Sequence, residues 1–296
     1  MPRCYWKVDS PNSFGRPRAV HMTMSWATDT LVESAFADAL DDDFKSCERD
    51  LLTLVRMANH EDAQPAMEAG ILASNRRQMV ALAAWKVVRI RPEPVTYKMA
   101  ERVVDEIGAP RSPQYLLQAQ FVESLRIRGS SNALALRGVL GRTFVDDVAY
   151  DWWLADQLRR ARIAYQAMAA KPQFGLQAKM RLDQSLTGVD PQDREWLRIP
   201  ISTTTRQLAV TRLVRLGVAL MRARDANSKF PRALPDLGDQ TIDPFTDKPF
   251  LYESTGNGFT VSLGRWDGKP RSPWLVYPAR SSPVPPNPDA PKSPAR

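Results

Sequence analysis

The stretch of sequence that decides the fold lies at residues 203–268 and holds three consecutive signals. It reads TTTRQLAVTRLVRLGVALMRARD at 203–225, NSKFPRALPDL at 227–237 and DPFTDKPFLYESTGNGFTVSLGRWDG at 243–268. In the first segment, apolar residues recur at spacings of four and three, which predicts an amphipathic helix. They are Ala209, Leu213, Leu216, Leu220 and Ala223. The arginines between them interrupt the apolar run every few residues, so this helix does not have the composition of a membrane span.

The ends of this helix are marked by polar residues. The three threonines at 203–205 predict an N-cap, because a hydroxyl can accept a hydrogen bond from the first backbone N–H groups of a helix. Asn227 and Ser228 predict its end, and Pro231 disfavours continuation.

After residue 237 the pattern becomes that of short strands. Residues 250–252 predict one strand, and Phe259, Val261 and Leu263 alternate with polar residues as in a half-buried second strand. Gly256-Asn257-Gly258 between them is typical of a hairpin turn. A second tight turn is predicted at 264–268. Since an isolated hairpin is only marginally stable, we expect it to pack on the helix that precedes it.

This order of signals resembles the C-terminal half of the major pseudopilins of type II secretion. It is closer still to an appendage of uncharacterised bacterial helical proteins of planctomycete type. The resemblance implies a long helix that carries a small sheet, protein–protein contacts, and a place at the cell envelope. The residues that carry it are Phe230, Pro231, Leu234, Leu237, Asp243, Pro244, Phe245, Pro249, Tyr252, Gly256, Gly258, Phe259, Gly264, Asp267 and Gly268.

Two departures from the pseudopilin pattern limit what the resemblance implies. Pseudopilins begin with a processed leader and a hydrophobic helix, and residues 1–24 contain neither. Several also bind calcium after the last glycine turn through further acidic residues, whereas this chain continues with Lys269-Pro270-Arg271. A hard cation needs several oxygen ligands. Asp243 and Asp267 are therefore the two weak metal candidates; we expect both to be turn residues, and we expect no metal and no cofactor.

Composition and charge fit a soluble globular protein. The chain has 296 residues, 43% hydrophobic and 25% charged, and a formal net charge of +8. A basic balance permits contact with nucleic acid, but the cations are spread along the chain, so we expect solvated helix faces. Nucleic-acid binding remains an alternative through the arginines of 206–224 and the loose cluster Arg159, Arg160, Arg162, Lys179 and Arg181.

The residues needed for common enzyme chemistry are sparse. Only His21 and His60 supply imidazoles, Cys4 and Cys47 do not form a metal-binding spacing, and the phosphate-binding glycine motifs are missing from the sequence. A hydrolase is the remaining enzymatic alternative. It would use paired carboxylates beside the apolar wall of Trp152; the acids there are Asp146, Asp147 and Asp151. Helix-start acids explain these residues more simply.

The rest of the chain predicts a mainly α fold, a multi-helix array or bundle with a small C-terminal β-hairpin on the last long helix. A regular helical repeat is the alternative, although no period repeats its residues. Predicted helices cover residues 27–40, 44–59, 67–88, 95–107, 115–127, 146–170 and 176–186, with a linker at 191–200. The expected division is an irregular segment at 1–26, a helical domain at 27–200, the pseudopilin-like unit at 201–274 and a proline-rich disordered tail at 275–296.

The sequence thus favours a non-enzymatic bacterial protein that acts by contacting another protein, and the resemblance implies an association with secretion or the cell envelope. No stretch of 18 apolar residues occurs. We therefore expect a cytoplasmic chain as written, or an envelope-associated one if an N-terminal anchor precedes it in the gene.

Overall fold

The computed structural model describes residues 16–63, 67–119, 174–187, 191–255, 258–264 and 270–277, together with separate positions between 152 and 166. The fold is mainly helical and ends in a small antiparallel sheet, which confirms the predicted class. Residues 113–119 add a short helical segment. The longer helices are α1 (Arg16–Leu40), α2 (Phe44–Asp62), α3 (Met67–Ile90), α4 (Pro94–Ile107), α5 (Gly175–Ser185) and α6 (Pro191–Asn227).

Helix α3 lies at the centre of the described bundle and packs against α1, α2, α4 and α6. Most of its residues are buried, which is expected of a helix that other helices cover over most of its surface. Many of them are small, so that the surrounding helices can approach closely; they are Ala69, Gly70, Ala73, Ser74, Ala81, Ala83 and Ala84. The predicted break at 41–43 is confirmed, since Asp43 caps α2 by accepting the Ser46 N–H at 3.1 Å.

Three predictions around prolines are wrong. Helix α1 begins at Arg16, within the segment expected to be irregular, and Pro17 occupies its first turn. Helix α6 begins at Pro191, so residues 191–200 are helix and not a linker. Proline is tolerated in a first turn because the N–H it lacks has no partner there. Pro200 lies inside α6, and the threonines at 203–205 are interior residues of a helix that continues across the predicted boundary at 200, not its N-cap.

The C-terminal region folds into two small antiparallel sheets after a 3-10 helix at Gly238–Thr241. Strand β1 (Ile242–Asp243) pairs with β2 (Lys248–Pro249). Strands β3 (Leu251–Ser254), β4 (Phe259–Gly264) and β5 (Pro270–Tyr277) form the second sheet in that order. The predicted hairpin of β3 and β4 is confirmed, with Tyr252 opposite Val261 and Ser254 opposite Phe259.

The third strand of this sheet was not predicted. Strand β5 extends to Tyr277 and pairs with β4. Residues 275–277 are therefore strand, and the predicted start of the disordered tail at residue 275 is wrong. That prediction rested on the prolines from Pro278 onward, because proline removes a ladder donor, and those residues lie outside the described ones. Strand β5 is an edge strand, and irregular pairing sets Pro273 opposite Ser262; an edge of this kind is where a sheet accommodates proline.

Two hydrophobic cores lie along α6. The main core joins helices α1 to α4, the part of α6 from Ala209 onward, and the inner face of the sheet, including Phe259, Val261 and Leu275. The second core is smaller and consists of Leu117, Ala164, Ala178, Leu182, Leu186, Leu197 and Ile201. The β-hairpin therefore packs on the preceding helix, as expected, and α6 contributes to both cores. Among the helices of the described ranges, none combines the length and the apolar character needed to cross a membrane.

Candidate functional site

The best-defined polar site in the described chain is the turn that follows β1, built around Asp243. This side chain is 1% exposed. Its Oδ1 accepts the Phe245 N–H at 2.8 Å, and its Oδ2 accepts the Gly264 N–H at 2.5 Å. Burial raises the pKa of Asp243 above its usual value, while the two backbone donors and the nearby Arg212 act in the opposite direction. Asp243 thereby fastens residues 243–247 to strand β4. We call residues 243–247 the Asp243 corner.

Helix α6 holds the Asp243 corner from one side. Arg212 donates from Nη1 to the Ile242 carbonyl at 2.8 Å, and burial lowers the pKa of this guanidinium from its usual value. Asp239, Asp243 and Asp247 lie close enough to counter that shift. The side chain of Phe245, 3% exposed, enters the main core beneath the turn. The corner therefore combines a buried carboxylate, with the Arg212 guanidinium nearby, and an apolar anchor below it.

Helix α5 meets the Asp243 corner from the other side. The Leu176 N–H, at the start of α5, donates to the Pro244 carbonyl at 3.1 Å. Gly175 has a φ of +74°, and a Cβ at this position would lie 1.9 Å from the Pro244 oxygen, so the contact requires glycine. The Gly175 N–H in turn donates to the Thr205 hydroxyl of α6 at 2.9 Å. Asp243, Pro244 and Phe245 thus each make a different contact that positions the sheet.

An aromatic cluster joins the sheet to the helices. The ring centroid of Phe259 lies 5.0 Å from that of Phe230, 6.1 Å from that of Trp85 and 6.2 Å from that of Tyr277. At the edge of this cluster, the Tyr252 hydroxyl donates a hydrogen bond of 2.7 Å to the Pro231 carbonyl. Phe230, Pro231, Tyr252 and Phe259, which all belong to the resemblance, thus lie in the interface between the sheet and the end of α6.

Polar contacts at the end of α6 extend this interface. Arg224 donates to the Tyr277 hydroxyl at 2.8 Å, and the Tyr97 hydroxyl of α4 donates to Asp225 at 2.8 Å. Burial raises the pKa of Tyr97 well above its usual value, and the bond to Asp225 adds to the shift. The phenol is therefore a hydrogen-bond donor at neutral pH and not a phenolate. These contacts tie α4, α6 and β5 together at one place.

A second buried polar site lies between α2 and α3, and it was not predicted from the sequence. Arg76 pairs with Glu61, and Arg77 pairs with Asp62 at 2.8 Å. Arg111 adds a contact to Asp62 at 2.7 Å. All of these side chains except that of Arg111 are less than a tenth exposed. The available signal was two adjacent acids at the end of one predicted helix and two adjacent arginines fifteen residues later, which antiparallel neighbours bring together.

Several of the basic residues considered for nucleic-acid binding form ion pairs within the chain. Arg215 pairs with Asp105 at 2.7 Å and Arg222 with Glu101 at 2.6 Å, so the α6 arginines join this helix to α4. Arg159 and Arg160 both pair with Asp156. Lys179 pairs with Asp183 at 2.6 Å. A phosphate backbone would have to compete with these carboxylates, which reduces the free positive charge on each face.

The remaining predicted residues are placed as follows. Asp243 is a turn residue, as expected. Asp267 lies outside the described residues, as do Gly256, Asn257 and the three acids near Trp152; Trp152 itself is helical and 73% exposed. Cys47 is a free, buried thiol, and burial raises its pKa to about 12, while Cys4 is outside the described range. Within the described residues, no cluster of three or more histidine, cysteine, aspartate or glutamate side chains is arranged to hold a metal ion.

Comparison of the chain with protein-family models, with curated proteins and with solved structures gave no match.

Proposed function

We propose that this chain is a non-enzymatic protein-binding scaffold, in which a helical bundle presents a pseudopilin-like helix-and-sheet unit to a protein partner at the cell envelope or in a secretion assembly. The observation that carries the proposal is the position of the residues that carry the resemblance: they make the contacts that hold the sheet together and attach it. Asp243 accepts the N–H groups of Phe245 and Gly264 and so fastens its turn to strand β4, and Phe230 and Phe259 fill the interface between the sheet and the last long helix. The residues of the resemblance are thus those that build the unit.

The buried charges support a structural role. Glu61 and Asp62 face arginines, and Asp243 accepts two backbone N–H groups. Groups held in this way position helices and strands, whereas a general acid or base must also exchange protons with a substrate. A rigid, internally braced sheet on the end of a helix suits recognition of another protein, because pre-organisation reduces the entropy lost on binding.

Proximity labelling in the cells that naturally produce the chain tests the proposal. A labelling enzyme is fused to the full chain, and the labelled proteins are identified by mass spectrometry. We expect enrichment of envelope or secretion proteins. Asp243→Asn, which disturbs the attachment of the sheet, is expected to lose this enrichment, and the matched exposed variant Asp239→Asn is expected to keep it.

Two results would count against the scaffold. One is a set of labelled proteins free of envelope and secretion components. The other is an enrichment that survives Asp243→Asn at equal cellular abundance, because the sheet would then not be the binding element.

A further inference from the structure

Helix α6 joins two cores that are separated along its axis. Leu197 and Ile201 belong to the second core, and from Ala209 onward the helix belongs to the main core. The second core also contains α5 side chains, among them Ala178 and Leu182. Since apolar packing is the main source of helix stability in proteins, the two parts of α6 depend on different neighbours.

The segment of α6 between the cores is lined by polar groups. Gln207, fully buried, accepts the Ser74 hydroxyl at 2.8 Å through Oε1, while its Nε2 has no hydrogen-bond partner among the described residues. Gln78 and Ser74 reach the Thr203 carbonyl only at 3.4 Å. We call these contacts of α3 with residues 203–207 the polar layer. Long or unmade hydrogen bonds in a buried layer contribute less stability than the apolar packing on either side of it.

The backbone of α6 is also weakened next to the polar layer. Pro200 has no N–H to donate to the carbonyl four residues earlier, and its ring crowds that carbonyl. The Thr204 hydroxyl donates to the Pro200 carbonyl at 2.8 Å, a form of side-chain bonding that bends helices. The interruption in the ladder and the polar layer lie within two turns of each other.

One contact joins α5 directly to the sheet region. The Leu176 N–H of α5 bonds the Pro244 carbonyl of the Asp243 corner, and Gly175 leaves the space for that approach. This contact joins α5, which belongs to the second core, to the sheet region, and it involves none of the residues of the polar layer.

From these observations we propose that α6 contains a hinge at residues 200–207, about which α5 and the first part of α6 open away from the main core, with the contact of α5 to Pro244 as the latch of the closed state. Opening exposes the Asp243 corner on the side that α5 covers, while the main core and the aromatic cluster stay intact. The inference concerns motion within the chain and does not depend on the proposed scaffold function.

Hydrogen exchange followed by mass spectrometry on the full chain tests the hinge. Amides of 175–185 and 192–205 are expected to exchange at least about tenfold faster than those of 209–221, because they open without global unfolding. Pro200→Ala restores a ladder donor, and we expect it to slow exchange at 201–205 by roughly tenfold or more. Pro94→Ala, at the first position of α4, is the matched control and is expected to leave these amides unchanged.

A second variant acts on the latch in the opposite direction. Gly175→Ala places a Cβ against the Pro244 oxygen, so exchange in α5 is expected to accelerate severalfold while amides 209–221 keep their protection. The proposal is overturned if both parts of α6 exchange at one rate in the wild type. It is equally overturned if Pro200→Ala leaves exchange at 201–205 unchanged, or if Gly175→Ala accelerates 209–221 as much as α5.

Discussion

The Asp243 carboxylate accepts the backbone N–H of Gly264, with 2.5 Å between Oδ2 and the nitrogen, across 21 residues of chain. The bond joins the turn after β1 to the last residue of β4. It also brings two features of the sequence motif, an Asp-Pro turn and a glycine at a strand end, into one contact.

Replacement of Asp243 by asparagine is expected to lower the free energy of unfolding by about 2–3 kcal/mol, because one of its two backbone donors would face an amide NH₂ instead of an oxygen. Chemical denaturation measures the change. The exposed Asp239→Asn control is expected to stay within about 0.5 kcal/mol of wild type. Equal effects of the two substitutions would show that the Asp243 corner does not stabilise the sheet.

Gly264→Ala is expected to destabilise the protein by about 1–3 kcal/mol through overpacking. A Cβ at this position would lie 2.2 Å from Thr246 Cγ2 and 3.1 Å from Asp243 Oδ2. Thr246→Ser removes that methyl group, so the double variant should lose less stability than the sum of the two single variants. Thermal or denaturant unfolding of the four proteins gives the coupling energy; strict additivity would contradict the predicted clash.

Acid should weaken the contact between α5 and the start of α6. Although burial alone would raise it, hydrogen bonds from Lys179 and Arg198 keep the pKa of Asp183 below its usual value of 3.8. A carboxyl whose folded pKa is lowered stabilises the protein above 3.8, and this contribution is lost as pH falls through the folded pKa. Asp183→Asn should therefore cost up to about 1 kcal/mol at pH 7, and this cost should shrink as the pH falls below 3.8 towards pH 2. Denaturation midpoints across that range measure the difference, which would be constant if the contact were irrelevant.

Cys47 should be almost unreactive while the protein is folded. With its pKa raised to about 12, roughly one molecule in ten thousand carries the thiolate at pH 8. In a Cys4→Ser background, iodoacetamide at pH 8 should label the native protein at least 100-fold more slowly than the unfolded chain, as read by intact mass. Rapid labelling of the native protein would mean that helix α2 opens far more often than its packing suggests.

Removing one partner of the buried pair of Arg76 and Glu61 should lower the free energy of unfolding strongly, whereas replacing both with apolar residues should lower it much less. Arg76→Met alone is expected to cost about 3–5 kcal/mol, because it takes away the charge that faces the buried Glu61 carboxylate. Adding Glu61→Met removes that charge and should recover a large part of the loss. Calorimetry or denaturant unfolding of the double-variant cycle gives the result, and a double variant less stable than Arg76→Met would contradict this account.

Much of the fold could be predicted because apolar spacing is a local property. The stripe from Ala209 to Leu220 faces the main core, and the alternation of Phe259, Val261 and Leu263 faces it from the sheet. Prolines were harder to interpret, since their effect depends on position. Pro17 and Pro191 lie in first turns, where their missing N–H costs nothing, and Pro273 lies on an edge strand.

The polar sites could be predicted only in part. The turn role of Asp243 follows from its local sequence, because an aspartate before proline commonly bonds the backbone two residues on. Its second acceptor bond, from Gly264, and the contact of Gly175 with Pro244 join segments far apart in sequence. The pairs of Glu61 and Asp62 with Arg76 and Arg77 depend on how α2 and α3 align, and single-sequence spacing does not fix that alignment.

Because α6 passes through both cores, the number of residues between Ile201 and Ala209 sets the angle at which the two cores face each other. Each residue added to or removed from an α-helix rotates everything beyond it by about 100°. One insertion there would turn Leu197 and Ile201 away from the α5 side chains that they contact, even if every other residue were kept. Variation in chain length should therefore be confined to the loops, and related chains should differ in composition along this helix but share its length.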